Sequence, residues 1–272
     1  MRLPFLASLA LTAAIFVGSA TRVAADDALV LYGAGSLREA MTEMASLFER
    51  AHGITVHGEF GASGRMRERI EGGDKVDLFT SADIGHAVKL VKDGRASVMA
   101  MFAQNTLCLL APTQAGTAAS PLDAMLKDGV KIGVSPARID PLGDYTVELF
   151  KVAEGLRKGS GATLQARAVT IDNPPGTPPA KSGDYVLDAL RDGKIDLAIV
   201  YCSGRARFAR LDPSLTMREF PPELSVGPQY GLAVLKDAKP AALLLALTIL
   251  SPEGQAVLAK ADFKPIGLPA GQ

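Results

Sequence analysis

Short apolar segments alternate with amphipathic segments from Ala28 onwards, and this alternation constrains the fold more than any other feature of the sequence. The first apolar segment, residues 28–34, ends in a glycine-rich turn, and Leu37, Met41 and Phe48 then recur at helical spacing. Strand–helix alternation predicts an α/β fold with mainly parallel sheets flanked by helices. Roughly ten strand-like segments follow this pattern, more than one modest sheet needs, so we expect two α/β lobes.

The first 25 residues have the organisation of a secretory signal peptide. Arg2 supplies the positive end, residues 3–17 are apolar, and small residues precede a predicted cleavage after Ala25. The alternative is an N-terminal membrane anchor, but the apolar stretch is shorter than the roughly 20 residues of a spanning helix. We therefore expect an exported protein.

The charge balance argues against nucleic acid as a partner. The sequence contains 29 Lys and Arg against 29 Asp and Glu. Removing Arg2 and Arg22 with the predicted leader, which contains no acid, leaves the mature chain with two more acidic than basic residues. Binding to a phosphate backbone needs a basic face instead. The absence of Trp also argues against a surface on which bases or sugars stack.

The two cysteines and three histidines do not have the spacing of a metal site. Cys108 and Cys202 each lie in an apolar, strand-like segment. In an oxidising compartment they can form one disulfide, or they can remain two buried thiols that pack as small hydrophobic groups. The sequence leaves both alternatives open.

Three turns share one design: GAGS at 33–36, GASG at 61–64 and TSAD at 80–83 each follow a strand and open a helix. Ser36 and Glu39 have the spacing of a capping box, and Ser63 stands at the start of the next helix. Unpaired N–H groups at helix starts bind oxyanions, and turns after parallel strands converge on one sheet edge. The alternative is that both serines are ordinary N-caps.

These turns do not carry a nucleotide or hydrolase signature. The pattern GxGxxG fails at Arg38, and no phosphate-binding loop motif occurs. The pattern GxSxG is absent at both serines, and none of the three histidines lies in a segment that resembles a catalytic loop. We therefore expect a protein that is not an enzyme, with a secreted Ser-dependent hydrolase as the less favoured alternative.

Residues 31–83 read LYGAGSLREAMTEMASLFERAHGITVHGEFGASGRMRERIEGGDKVDLFTSAD. This segment resembles the N-terminal lobe of periplasmic molybdate-binding proteins, the substrate-binding components of ABC transporters. Later segments also resemble the family, namely NTLCLLAP, IGVSPARIDPLGDY, DLAIVYCSG and SPEGQAVLAK. The resemblance covers nearly all of the mature chain.

The resemblance implies the type II periplasmic-binding-protein fold, with two lobes, crossing hinge strands and an anion in the cleft between them. It implies a first lobe of residues 26–106 and 230–272 and a second lobe of residues 107–229. It further implies a monomer that needs no metal or organic cofactor and delivers its ligand to an ABC transporter permease in the inner membrane.

Five ligand-binding residues follow from the resemblance: the hydroxyls of Ser36, Ser63 and Tyr201, and the backbone N–H groups of Leu142 and Gly183. Such neutral donors favour a fully deprotonated tetrahedral oxyanion, molybdate or tungstate, over an anion that carries a proton. Sulfate, phosphate and a small organic acid are the alternative ligands.

Three charged residues near these positions depart from the family pattern, namely Arg65, Asp140 and Asp144. Each is either a solvated side chain or a group that faces the ligand, and the sequence leaves both interpretations open. An inward-facing Asp would disfavour a dianion, or would suggest the carboxylate-assisted coordination of tungstate-binding relatives. The proline-rich loop at 174–181 is also longer than the resemblance leads us to expect.

Overall fold

The computed structural model describes residues 28–113 and 118–267. The predicted signal peptide, residues 1–25, lies outside the described residues. The described chain forms two β-sheets flanked by helices, which confirms the predicted two-sheet α/β architecture. We call the parts built on the two sheets lobe 1 and lobe 2. The boundaries given above for these lobes remain a prediction.

The strands are β1 (Leu29–Ala34), β2 (Val56–Gly61), β3 (Leu78–Ser81), β4 (Ala96–Gln104), β5 (Leu107–Pro112), β6 (Ile132–Val134), β7 (Ala168–Thr170), β8 (Leu197–Tyr201), β9 (Leu215–Glu219), β10 (Gln229–Leu235) and β11 (Lys264–Pro265). The helices are α1 (Arg38–His52), α2 (Ser63–Glu71), α3 (Ile84–Lys92), α4 (Pro121–Leu126), α5 (Pro141–Leu156), α6 (Ser160–Arg167), α7 (Tyr185–Arg191), α8 (Arg205–Leu211), α9 (Ala241–Leu250) and α10 (Pro252–Lys260).

Each sheet contains one long strand that runs against its neighbours. Lobe 1 has the strand order β11-β4-β10-β3-β1-β2, in which β10 is antiparallel to both β3 and β4. Lobe 2 has the order β7-β6-β8-β5-β9, in which β5 is antiparallel to both β8 and β9. The prediction of mainly parallel sheets therefore missed two reversed strands, besides the two-residue β11, which is antiparallel to β4.

The reversed strands result from the way the chain crosses between the lobes. It leaves lobe 1 at the end of β4 and enters lobe 2 as β5, and it returns from β9 into β10. Each crossing joins the carboxyl edge of one sheet to the carboxyl edge of the other, so the entering strand runs in the opposite direction. The carboxyl edges of both sheets consequently face each other across one cleft, where open α/β sheets bind ligands.

The apolar pattern of the sequence fills the core as predicted for α1 and for the C-terminal helices. Leu37, Met41 and Phe48 are all buried on the inner face of lobe 1. Ser251 separates α9 from α10, and its hydroxyl caps α10 by accepting from the Gly254 N–H. Within the described chain, no single helix is long and apolar enough to cross a membrane, although α9 and α10, bent by 62°, meet that test together.

Cys108 and Cys202 form a disulfide with an S–S distance of 2.08 Å, which decides between the two alternatives left by the sequence. The bond joins β5 to the 3₁₀ turn Cys202–Gly204, which follows β8. It therefore connects the strand that enters lobe 2 to a turn at the cleft edge of the same sheet.

Candidate functional site

A cavity of about 320 Å³ lies between the two lobes. Its walls come from the turn after β1, the turn after β3, the starts of α5 and α7, and the turn after β8. Four of the five predicted ligand residues line it, namely Ser36, Leu142, Gly183 and Tyr201. The structure thus brings together residues that are up to 165 positions apart in the sequence, and their binding roles remain predictions.

Ser36 does not form the predicted capping box. A 3₁₀ turn, Gly35–Leu37, precedes α1, and no side chain caps either segment in the described structure. This extra turn places Ser36 inside the helical segment rather than at its N-cap. Its hydroxyl instead lies 2.9 Å from the hydroxyl of Tyr230, which is fully buried.

Ser63 lies behind the cavity wall rather than in it. Its side chain is only 1% exposed, and its Oγ accepts a hydrogen bond of 3.2 Å from the Ala82 N–H. Ala82 lines the cavity, whereas Ser63 is not among the described lining residues. Ser63 therefore fixes the turn after β3 to the start of α2, and its contact with a ligand stays a prediction.

The two predicted backbone donors already have intramolecular partners. The Leu142 N–H donates to Asp140 Oδ1 at 3.1 Å, and the Gly183 N–H donates to the Ala180 carbonyl at 3.1 Å. Gly183 has a φ of 83°, which favours glycine at this position. A bound anion would have to share or displace these bonds, so the two roles remain predictions.

Tyr201 presents a buried hydroxyl without a protein partner. The residue ends β8 and lines the cavity, but is only 7% exposed. Its Oη is buried and has no partner that meets hydrogen-bond geometry within residues 28–113 and 118–267, although the Tyr230 hydroxyl is near enough to raise its pKa. Burial raises the pKa of Tyr201 well above its usual value, so the hydroxyl keeps its proton and remains a donor. Leaving such a group unpaired costs about 1–3 kcal/mol, which a ligand acceptor would recover.

The structure distinguishes the two aspartates that the sequence left open. Asp140 lines the cavity, whereas Asp144 is exposed outside it and accepts from the Arg138 N–H at 2.8 Å. Burial raises the pKa of Asp140, and the negative charge of Asp144 raises it further. The hydrogen bond from Leu142 and the charge of Arg65 act in the opposite direction. A carboxylate therefore faces the ligand cleft.

Arg65 joins the two lobes instead of facing the ligand. Its Nη2 lies 2.8 and 2.7 Å from the two carboxylate oxygens of Asp172, just before the proline-rich loop of lobe 2. The adjacent Gly64 N–H donates to the Ile139 carbonyl of lobe 2 at 3.0 Å. The two departures from the family pattern, Arg65 and this loop, thus meet at one interlobe contact.

A second interlobe ion pair connects α1 to α8. Arg210 Nη2 lies 2.6 Å from Glu39 Oε1, and Glu39 itself lines the cavity. Both side chains are largely exposed, so the pair contributes little to stability. Together with the contacts of Gly64 and Arg65, it shows that the lobes are in contact around the cleft.

Sequence reasoning missed several polar residues at the cleft. Ser203 lines the cavity two positions after Tyr201, and this proximity in one turn was the available signal. Arg207 also lines the cavity, where it is paired with Asp184, the N-cap of α7. Among the described residues, no group of three or more His, Cys, Asp or Glu side chains is arranged to hold a metal ion.

Sequence comparisons with known proteins identify the family of this chain. A family model described as bacterial extracellular solute-binding protein matches residues 29–264. An uncharacterised protein of Pasteurella multocida is 31% identical over 206 residues, which cover 75% of this chain and 85% of that protein. The molybdate-binding protein of Escherichia coli is 25% identical over 196 residues, with 69% of this chain and 70% of that protein covered.

The fold is also similar to that of solved structures. The sulfate-binding protein of Mycobacterium tuberculosis superimposes with a TM-score of 0.74 at 15% sequence identity. The match covers 88% of this chain and 87% of that protein. At this identity the likeness shows a shared two-lobed fold.

Proposed function

The chain belongs to the family of bacterial extracellular solute-binding proteins, and we propose that it captures a tetrahedral oxyanion, molybdate or tungstate first, between its lobes. In this proposal a signal peptide, cleaved after Ala25, directs the protein to the periplasm, where it acts as a monomer without cofactor or enzymatic activity. It delivers the anion to an ABC transporter permease in the inner membrane.

The unpartnered hydroxyl of Tyr201 is the observation that carries this proposal. A buried donor on a residue that lines a cavity between two lobes can be satisfied when an acceptor enters the cavity. An oxyanion has only acceptor atoms, and it would pair with Tyr201 while Ser36 donates from the opposite lobe. The sequence similarity to the molybdate-binding protein of Escherichia coli supports molybdate as the first ligand to test.

Asp140 favours a second candidate ligand. A carboxylate in the cleft repels a dianion but accepts a hydrogen bond from an anion that carries a proton or a hydroxyl group. Hydrogen phosphate and small organic acids have such donors. We therefore propose a protonated or hydroxylated anion as the alternative within the same binding function.

Replacing Tyr201 with phenylalanine is expected to weaken binding of the preferred anion by about 10- to 150-fold, because one charge-assisted hydrogen bond contributes roughly 1.5–3 kcal/mol. The melting temperature of the unliganded variant should not fall, since the lost hydroxyl has no partner there. Calorimetric titration with molybdate, tungstate, sulfate and phosphate, combined with thermal unfolding, measures both quantities.

Tyr185→Phe is the matched control for this variant. Tyr185 also lines the cavity, but its hydroxyl donates to the Pro178 carbonyl at 2.9 Å, so its removal should change affinity little. Unchanged anion affinity in Tyr201→Phe would contradict the assigned site. Failure of the wild-type protein to bind any of the four anions would contradict the oxyanion function itself.

Replacing Asp140 with asparagine is expected to strengthen binding of a fully deprotonated dianion and to weaken binding of hydrogen phosphate. Because the pKa of Asp140 is raised, its carboxyl becomes charged only as the pH rises through that raised pKa, and it repels a dianion above it. The affinity ratio between Asp140→Asn and wild type for molybdate should therefore increase with pH. Titrations at several pH values measure this ratio.

The substitution should preserve the fold, since asparagine is as good an N-cap as aspartate. Asp144→Asn, in the same helical turn but outside the cavity, removes no charge from the cleft lining. Its molybdate affinity ratio to wild type should be near one once Asp140 is fully charged, and should depart from one only at the pH values where Asp140 titrates, because the Asp144 charge raises the pKa of Asp140. A molybdate affinity ratio for Asp140→Asn that does not vary with pH would show that the Asp140 charge does not reach the ligand.

A further inference from the structure

A chain of buried hydrogen bonds connects the interlobe crossing to the cleft. Asn105 lies between β4 and β5 and is 1% exposed. Its Nδ2 is 3.1 Å from the hydroxyl of Tyr230 and 2.9 Å from Oγ of Ser203. The Tyr230 hydroxyl in turn contacts Ser36 Oγ at 2.9 Å. The Asn105 amide is therefore connected by hydrogen bonds to two serines that line the cavity from opposite lobes, directly to Ser203 and through Tyr230 to Ser36.

The orientation of the Asn105 amide is fixed by the backbone. Its Oδ1 lies 2.9 Å from the N–H of Thr106, which can only donate. The oxygen must therefore face Thr106, and the NH₂ group must face Tyr230 and Ser203. The Asn105 N–H also donates to the Pro228 carbonyl at 3.0 Å, so the residue is held between the two crossing connections.

This orientation determines which way each hydroxyl donates. Because an amide NH₂ only donates, the hydroxyls of Tyr230 and Ser203 both accept from Asn105. Tyr230 is fully buried, and Ser36 Oγ is the described acceptor that meets hydrogen-bond geometry for its proton. The Tyr201 hydroxyl also interacts with Tyr230, but it forms no bond of that geometry. The alternative, in which Ser36 donates to Tyr230, leaves a buried hydroxyl proton unpaired, which costs as much as a lost hydrogen bond.

We propose that Asn105 makes the hydroxyls of Ser203 and Ser36 hydrogen-bond donors to the ligand. It acts on Ser203 directly and on Ser36 through Tyr230. Asn105 and Tyr230 are then positioning residues, and Ser203 is a further ligand donor beside Tyr201. The inference rests on the proposed function only in requiring that an anion occupies the cleft.

The consequence is selectivity for unprotonated oxygen atoms on the ligand. The hydroxyls of Ser36 and Ser203 accept hydrogen bonds from the protein and donate their protons to the cleft. A ligand O–H group placed against them would face another donor and could not form a hydrogen bond. Sulfate and hydrogen phosphate separate this effect from charge, because at pH 8 both are mainly tetrahedral dianions and only hydrogen phosphate carries a proton. Molybdate adds a larger unprotonated dianion to the comparison.

The experiment is to measure affinities for molybdate, sulfate and hydrogen phosphate at pH 8 in wild type, Asn105→Asp and Tyr230→Phe. A carboxylate at position 105 accepts from Tyr230 and Ser203, which reverses both hydroxyls. We expect the preference for an unprotonated anion over hydrogen phosphate to fall at least about tenfold in Asn105→Asp. Tyr230→Phe, which removes only the branch to Ser36, should give a smaller decrease and keeps the inference testable if Asn105→Asp does not fold.

Gln255→Glu is the control for burying a carboxylate in place of an amide. Gln255 is 1% exposed, and its Nε2 donates to the carbonyls of Phe102 and Ile249, outside the cleft lining. This variant should lose stability without any change in the anion preference. An unchanged preference in the folded Asn105 and Tyr230 variants of a protein that does bind anions would overturn the inference alone. A wild-type protein that binds none of the three anions would overturn the proposed function and the inference with it.

Discussion

Replacing Gly64 with alanine is expected to lower anion affinity by roughly 30- to 1,000-fold while the unliganded protein remains folded. A Cβ at this position would lie 2.5 Å from the Ile139 carbonyl oxygen of the opposite lobe. The clash also removes the hydrogen bond from the Gly64 N–H to that oxygen. Overpacking and the lost bond together cost about 2–4 kcal/mol, and only when the lobes are in contact.

Gly155→Ala is a suitable comparison, because an added Cβ at this helical position has no heavy atom within 4 Å. Calorimetry measures the affinities, thermal unfolding measures the stability of the unliganded variants, and small-angle scattering reports whether saturating ligand compacts each protein. We expect the Gly64 variant to keep a normal melting temperature and to resist compaction. Wild-type affinity in that variant would show that Gly64 and Ile139 need not meet for binding.

Removing the disulfide is expected to produce the largest loss of stability, about 4–5 kcal/mol. Cys108 and Cys202 are 94 positions apart, so the bond closes a long loop and strongly restricts the unfolded chain. Both cysteines are buried in lobe 2, and substitution by alanine introduces no polar group there. Urea unfolding of the oxidised protein and of the double variant Cys108→Ala, Cys202→Ala gives the difference directly.

Because neither single cysteine variant can form the bond, the two single variants should unfold close to the double variant. Mass determination after alkylation, with and without prior reduction, establishes that the wild-type protein carries the bond. Equal urea midpoints for the oxidised and reduced wild-type protein would contradict a stabilising disulfide.

Local sequence patterns predicted the helices and strands in which buried apolar residues recur at regular spacing. The spacing of Leu37, Met41 and Phe48 predicted α1. The sequence did not reveal β4, which pairs with β10 through two register irregularities that disturb any alternation. It also did not reveal α6, a short helix in which Leu164 is the one fully buried apolar side chain.

The predicted binding residues come mainly from family resemblance, whereas the contacts that connect the cleft residues were not predictable from local sequence. Asn105 and Tyr230 are 125 positions apart, and Arg65 and Asp172 are 107 positions apart. Neither pair has a spacing that a helix or a strand would make visible. The capping box at Ser36 was wrong because the sequence pattern does not distinguish an N-cap from the second residue of a 3₁₀ turn.

The position of β10 between β3 and β4 has a consequence for how the chain matures. The five strands of the lobe 2 sheet come from one continuous stretch, so this sheet can form before the C-terminal residues are available. The sheet of lobe 1 forms later, because β3 and β4 are joined only through β10, residues 229–235, near the end of the polypeptide. If the chain is exported as proposed, the sheet of lobe 1 cannot close until nearly the whole chain has left the export channel.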